Sequence, residues 1–353
     1  MTMERSGYER MSPLSLILCC SLLSTPATDP PAAPPPDRPT VIVVVGAEGE
    51  SEYGREFAKW ADRWADAAAK ASAELLVVGR DDASTSSTDK QRLQSLIDAQ
   101  LKQPAETKPL WLVLIGHGTH DGKEAKFNLR GPDVSDAELA EWLKACRRPL
   151  AVIDCSSSSA PFLNRLSGRD RVVITATRTG SETNYARFGD SFSASVADPA
   201  ADLDKDGQTS LLEAFISASH RVEAFYKEAG RLPTEHALLD DNGDALGTPA
   251  NWFQGTRATR AAKNGAPLDG TRANQWHLLL SPAEQAMPAE ARAKRDALEL
   301  RIETLRGKKA SMPKAEYYAQ LEKLMLELAR VYQPESAPTR PTPAPAAQRP
   351  TAP

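Results

Sequence analysis

The chain has 353 residues, 25% of them charged, and a formal net charge of -4, so composition offers no basic surface for nucleic acid. Its length and 41% apolar content suit one sizeable domain with appendages, and most of its 27 prolines must lie outside that core. There are four cysteines, two of them (Cys19 and Cys20) inside an N-terminal apolar stretch, which excludes a disulfide-stapled scaffold.

Residues 1–27 read as an export signal. Leu14 to Leu23 is apolar but too short to span a bilayer, and Thr25-Pro26-Ala27 supplies small residues for cleavage. The flanking charges are mixed, with Arg5 and Arg10 offset by Glu4 and Glu9; a mildly apolar disordered tail is the alternative. The expected location is outside the cytoplasm (periplasmic, secreted or cell-surface), with no transmembrane span. Residues 28–39 are Pro/Ala-rich and read as an extended linker.

Order begins at Thr40. Val41 to Val45 is a β-branched run of the kind buried on both faces. Tyr53 to Ala71 has helical spacing, with Phe57, Trp60, Ala61 and Trp64 on one stripe. A strand at Leu75 to Val78, a helix at Asp89 to Leu101 and a strand at Leu110 to Ile115 follow, then a small hairpin arm at Phe127 to Leu129. Ser135 and Glu138 form a capping box for a helix through Lys144. Strands at Leu150 to Ile153 and Val172 to Thr175 flank a helix at Ser159 to Leu166. This alternation predicts an α/β fold, a mostly parallel sheet covered on both faces.

Beyond Thr175 the spacing predicts helices at Phe188 to Val196 and Leu211 to Ala229, a turn-rich loop at Asp240 to Gly247, and little periodicity from Trp252 to Leu280. Pro288 to Arg306 and Pro313 to Tyr332 read as a helical hairpin, with Leu298, Ile302 and Leu305 facing Leu321, Leu324 and Leu328. The expected organisation is a main domain over 40–250, an irregular linker over 251–287, the hairpin over 288–333 and a disordered tail over 334–353. The hairpin's charges read as a solvated face or, functionally, as a docking surface for a protein partner.

Two strand ends carry reactive side chains. Ile115-Gly116-His117-Gly118 closes one apolar run and Ile153-Asp154-Cys155-Ser156 closes the next. A thiol beside an imidazole is a minimal covalent-catalysis pair, and open α/β sheets collect reactive groups at the carboxyl ends of their strands. A helix starting just after Cys155 and a neighbouring His117 would both lower the thiol pKa, whereas Asp154 would raise it. The amides of Gly118 and Cys155 are candidates for an oxyanion hole. A buried, inert thiol is the reading to set against this one.

These residues resemble the caspase-like clan of cysteine peptidases, and within it the legumain family, which includes the catalytic subunit of the GPI-anchor transamidase. The likeness rests on Gly116-His117-Gly118, the Phe127 segment, Ser135 to Ala140, Cys155 with its serines, Ala176-Thr177, Glu182 to Tyr185 and Gly189-Asp190, and covers about Thr40 to Val196. It implies a caspase-like three-layer sandwich followed here by the helical hairpin. It also implies endopeptidase chemistry on a peptide or protein substrate, with His117 as proton carrier, Cys155 as nucleophile and no cofactor. By the same resemblance Arg55 and Asp190 would read an Asn or Asp side chain before the cut. The family's Glu two residues before the Cys is Ile153 here, and four serines, Ser156 to Ser159, replace its Gly-containing step. A non-catalytic scaffold or binding module of the same fold is the alternative.

Asp202 to Glu213 matches the EF-hand loop pattern, with Asp202, Asp204, Asp206, the Gln208 carbonyl, Ser210 and Glu213 as oxygen ligands of a structural calcium ion and Gly207 at the turn. A polar turn with a Ser210/Glu213 capping box explains the same residues without a cation.

Overall fold

The computed structural model describes residues 38–80, 87–102, 108–263 and 266–332. The export-signal segment, the Pro/Ala-rich stretch up to residue 37 and the tail from residue 333 lie outside the described residues.

The first half of the chain alternates strand and helix: β1 (Thr40–Val45), α1 (Ser51–Lys70), β2 (Glu74–Val78), α2 (Asp89–Leu101) and β3 (Leu110–Ile115). A three-stranded antiparallel flap follows, made of β4 (Gly118–His120), β5 (Ala125–Phe127) and β6 (Val134–Ser135). The main sheet resumes after α3 (Asp136–Leu143) with β7 (Leu150–Asp154), α4 (Ala160–Leu166) and β8 (Arg171–Thr175). Then come α5 (Phe188–Ser195), α6 (Leu211–Glu228), β9 (Leu238–Asp240) and β10 (Thr248–Pro249), and a short ribbon of β11 (Phe253–Gln254) and β12 (Arg257–Ala258). The chain continues through α7 (Thr271–Gln275), α8 (Pro282–Ala286), α9 (Ala289–Gly307) and α10 (Lys314–Tyr332).

The seven-stranded sheet has the order β10-β9-β8-β7-β3-β1-β2. Strands β2, β1, β3, β7 and β8 are parallel, while β9 and β10 add antiparallel at one edge. Strand alternation explains why the apolar runs are unbroken. Val41, Val43, Trp111, Val113, Ile115, Ala151 and Ile153 face one core, under α1, α5 and α6. Ile42, Val44, Leu112, Leu114, Leu150 and Val152 face the other, under α2, α3 and α4. Trp60, Trp64 and Trp111 are at most 1% exposed, and burying side chains of this size stabilises by about 2–3 kcal/mol each. The fold is thus a three-layer α/β sandwich.

Local signals set the helix starts. The Ser135/Glu138 capping box forms with both reciprocal bonds, and Thr88/Gln91 forms a second one at α2. Residues 251–287 carry the short ribbon and two short helices, and Asp269 holds them to the sheet edge by accepting from Asp241 N (3.0 Å), Asn242 N (3.2 Å) and Thr248 Oγ1 (2.6 Å). The C-terminal hairpin closes on its own small core of Leu298, Ile302, Leu305, Tyr317 and Leu324. It joins the body through Arg295, whose guanidinium grips Glu284 at 2.6 and 2.8 Å. No helix among the described residues is long and apolar enough to cross a membrane.

Candidate active site

The parallel register of β3 and β7 brings His117 and Cys155 to the same edge of the sheet. Leu114 pairs with Asp154, so both residues emerge from the carboxyl ends of adjacent strands. They also share a face. Cys155 belongs to the core under α1 and α5, and the His117 ring packs edge-on against Tyr53 and Phe57 of α1, with centroids at 4.9 and 5.1 Å. Tyr185 stacks on Tyr53 at 4.7 Å and completes the aromatic surround.

The imidazole is half-buried, and its Nε2 lies 3.3 Å from the Glu48 carbonyl. A carbonyl only accepts, so this contact assigns the proton to Nε2 and leaves Nδ1 with its lone pair free. Burial lowers the His117 pKa, with the Glu48 carbonyl opposing, so the ring is neutral at neutral pH.

The thiol is in a different state from the one the strand-end motif predicted. Cys155 is 1% exposed. It packs against Gly189, where an added Cβ would lie 2.8 Å from the Cys155 Cβ and 2.7 Å from the Trp60 ring. Burial pushes its pKa well up, and the Asp154 and Glu235 carboxylates add to the rise. The expected help from a helix N-terminus is missing because α4 begins at Ala160, beyond the serine run. The Cys155 side chain forms no hydrogen bond among the described residues.

The expected oxyanion hole is also closed. Cys155 N–H extends the sheet ladder by donating to Leu114 O at 2.9 Å. Gly118 N–H donates to Ser157 Oγ at 3.1 Å. Both amides are therefore engaged, one because β7 pairs for one residue beyond its assigned end and the other because a serine caps it. All four serines from Ser156 to Ser159 are at most 3% exposed and fill the strand ends as a polar plug. Ser156 donates through N (3.0 Å) and Oγ (2.6 Å) to Asp154 Oδ1, and Ser159 Oγ pairs with Thr177 Oγ1 at 3.2 Å. Asp154 itself is fully buried with Oδ2 unpartnered, and burial pushes its pKa up to about 7 against the two Ser156 bonds.

Arg55 and Asp190 do not meet. Arg55 is exposed on the first turns of α1. Asp190 is held instead by Arg63, two helical turns further on, whose Nη1 donates to Asp190 Oδ1 at 2.7 Å and to its carbonyl at 2.8 Å. Asp190 lines a cavity of about 620 Å³ together with Glu52, Tyr53, Tyr185, Arg187 and Arg231. Arg187 lies over the Phe225 ring at 4.3 Å and the Tyr185 ring at 5.5 Å. Sequence reasoning missed Glu235, which caps α5 from a distance. Its carboxylate accepts from Arg187 N (2.8 Å) and Phe188 N (2.9 Å) and from Tyr226 OH (3.1 Å). A single Glu in the polar segment after α6 gives no spacing signal for this role.

The acidic loop is folded around its own carboxylates. The ligand oxygens of Asp202, Asp204 and Asp206 lie within 4.8 Å of one another. Asp202 accepts from Lys205 N (2.7 Å) and Gly207 N (3.1 Å), and Gly207 takes a φ of +88° at the turn. Glu213 closes the loop by accepting from Leu203 N (2.7 Å) and Asp204 N (3.1 Å) while completing the capping box with Ser210. Gln208 bridges the loop to the start of α8: its Nε2 donates to Asp206 Oδ2 at 2.9 Å and its Oε1 accepts from Ser281 N at 3.0 Å. Burial raises the Asp204 pKa, and the Glu213 and Asp206 carboxylates add to it. The structure thus brings three of the expected ligands together, Asp202, Asp204 and Asp206, whose carboxylate oxygens are the donor type a hard divalent cation takes, while Glu213 and Ser210 are engaged with each other in the capping box.

No family model matches the chain, and no curated protein does. Among solved structures it is similar to the Drosophila initiator caspase Dronc, at 16% identity over 58% of this chain and 80% of that chain, with a TM-score of 0.40. It is also similar to caspase-1 from Spodoptera frugiperda, at 7% identity over 58% of this chain and 86% of that chain, with a TM-score of 0.39.

Proposed function

We propose that the chain is a caspase-like cysteine endopeptidase whose His117–Cys155 dyad stands here in a closed resting form. One observation carries this reading: the two side chains leave adjacent parallel strands at the same carboxyl edge and on the same face, with the Glu48 carbonyl orienting the imidazole. In the reaction, His117 Nδ1 takes the thiol proton as Sγ bonds to the substrate carbonyl carbon and the π pair moves onto oxygen. Collapse of this adduct breaks the C–N bond, and the amine leaves with the proton from the imidazolium. Water activated by the neutral imidazole then hydrolyses the thioester. Substrate entry requires Cys155, 1% exposed beneath Gly189, to become accessible.

Cleavage after Asn or Asp fits the cavity beside the aromatic surround of His117. Arg187 and Asp190 on its wall provide a donor and an acceptor, with Arg187 in the place that the sequence assigned to Arg55. The acidic loop is proposed to hold a structural calcium ion through Asp202, Asp204, Asp206, the Gln208 carbonyl, Ser210 and Glu213. The ion would fix the start of α6 and take no part in peptide cleavage.

A non-catalytic scaffold of the same fold is the competing reading, favoured by the buried thiol and the two engaged amides. A peptide-library assay decides between them, run beside Cys155→Ala and a peptidyl electrophile. Cleavage lost in Cys155→Ala supports the peptidase. Absence of both cleavage and Cys155 labelling, in the native chain and in chains whose strand-end serines are replaced, supports the scaffold.

A further inference from the structure

We propose that Ser157 is a built-in stopper of the oxyanion position: its hydroxyl stands where the oxygen of a reacting carbonyl would stand, and must leave before the dyad can work. This inference rests on the peptidase reading above and concerns regulation of that same site.

Gly118 follows His117 directly, and its N–H is the donor at this strand end that an oxyanion could take without breaking the sheet. The other amide, that of Cys155, belongs to the ladder through Leu114 O at 2.9 Å. Ser157 engages Gly118 twice. Its Oγ accepts from Gly118 N at 3.1 Å and donates to Gly118 O at 3.0 Å. The fit is close enough to need glycine at 118, since a Cβ there would lie 2.2 Å from Ser157 O and 2.9 Å from Ser156 Oγ. The hydroxyl of Ser157, a residue 3% exposed, thus accepts from this amide as a substrate oxygen would.

The serine segment also carries the marks of a second arrangement. Ser158 has a φ of +56°, a left-handed conformation that costs a non-glycine residue on the order of 1 kcal/mol. Its hydroxyl is buried without a partner. The strained residue is tied by one backbone bond, Ser158 N to Glu182 O at 2.9 Å. Glu182 is in turn held by His236, through N at 3.2 Å and Nδ1 at 2.7 Å, and by Arg178 N at 3.0 Å. Releasing that tie relieves the strain at Ser158, exposes its hydroxyl to solvent and withdraws Ser157 from Gly118.

A purely structural serine and a stopper differ in the sign of one measurement. Replacing a structural serine lowers stability and leaves turnover unchanged or lower. Replacing a stopper frees the Gly118 amide, and an oxyanion donor is worth roughly 100- to 1,000-fold in kcat. Full-length Ser157→Ala and Ser157→Gly should therefore show a kcat at least about 10-fold above the native chain, with KM little changed and a lower melting temperature. Activity appearing in the variants from an inactive native chain supports the stopper equally. If the native chain cleaves and neither variant gains, the stopper is overturned and the dyad stands. If neither the native chain nor the variants cleave and a peptidyl electrophile leaves Cys155 unmodified, the dyad reading falls and takes the stopper with it. If neither variant folds, Ser157 is structural and the stopper is overturned.

Discussion

Gly189 lies directly against Cys155, so close that a β-carbon at position 189 would sit 2.8 Å from the Cys155 Cβ and 2.7 Å from the Trp60 ring. The first turn of α5 therefore forms the wall over the thiol. Gly189→Ala must displace Trp60 or the strand end, at a cost of about 1–3 kcal/mol. Denaturant unfolding of the variant should show a lower midpoint with an unchanged slope. A midpoint equal to that of the native chain would show that the wall is looser than these contacts indicate.

Asp154 gives the fold a specific pH dependence. Burial raises its carboxyl to about 7 in the folded chain from an ordinary 3.8. The folded form thus keeps a proton that the unfolded chain releases. This contribution to stability is fully present below about pH 4 and is lost as pH rises through about 7, to an extent on the order of 4 kcal/mol. Asp154→Asn keeps an Oδ1 for both Ser156 bonds and carries no charge. The native chain should lose stability relative to Asp154→Asn between pH 4 and pH 7, as read by urea unfolding at a series of pH values. Parallel profiles would mean that Asp154 does not titrate in that window.

Calcium should stabilise the chain through the acidic loop. At a concentration 100-fold above its dissociation constant, a ligand specific to the folded state adds about 2.7 kcal/mol, or a rise in melting temperature of roughly 5–10 °C. The rise should disappear in Asp204→Ala and be reversed by a chelator. A shift that persists in Asp204→Ala would assign the cation elsewhere.

Selectivity should follow Arg187 and not Arg55. Arg187→Ala should raise KM for substrates with Asn or Asp before the cut by about 10-fold, the scale of one charge-assisted hydrogen-bonded contact. Arg55→Ala, an exposed helix position, should leave both constants near native. Steady-state kinetics on matched peptides distinguish the two, and the reverse ranking would restore Arg55 to the pocket.

Periodicity was enough to read the scaffold. Unbroken runs such as Val41 to Val45 marked strands covered on both faces, and the Ser135/Glu138 and Ser210/Glu213 spacings marked real helix starts. The hairpin core of Leu298, Ile302 and Leu305 against Leu324 was also legible. The state of the site was not. Whether the Gly118 and Cys155 amides are free depends on partners in other segments, and Ser157 is 39 residues from Gly118 in sequence. The Asp190 partner was misjudged for a related reason: the docking of α5 along α1 selects Arg63 over Arg55, and no local pattern encodes that offset. The serine run carried no periodicity to show that it is buried, and its burial rests on partners in other segments, Gly118 for Ser157 and Thr177 for Ser159.

The Glu235 carboxylate reaches back across 48 residues to hold the start of α5. The turn that brings Gly189 over the thiol is therefore secured from outside its own helix: Arg187 N and Phe188 N, the two amides just before Gly189, both end on this one distant carboxylate. The cover over Cys155 is thus a long-range property of the chain and not a local one.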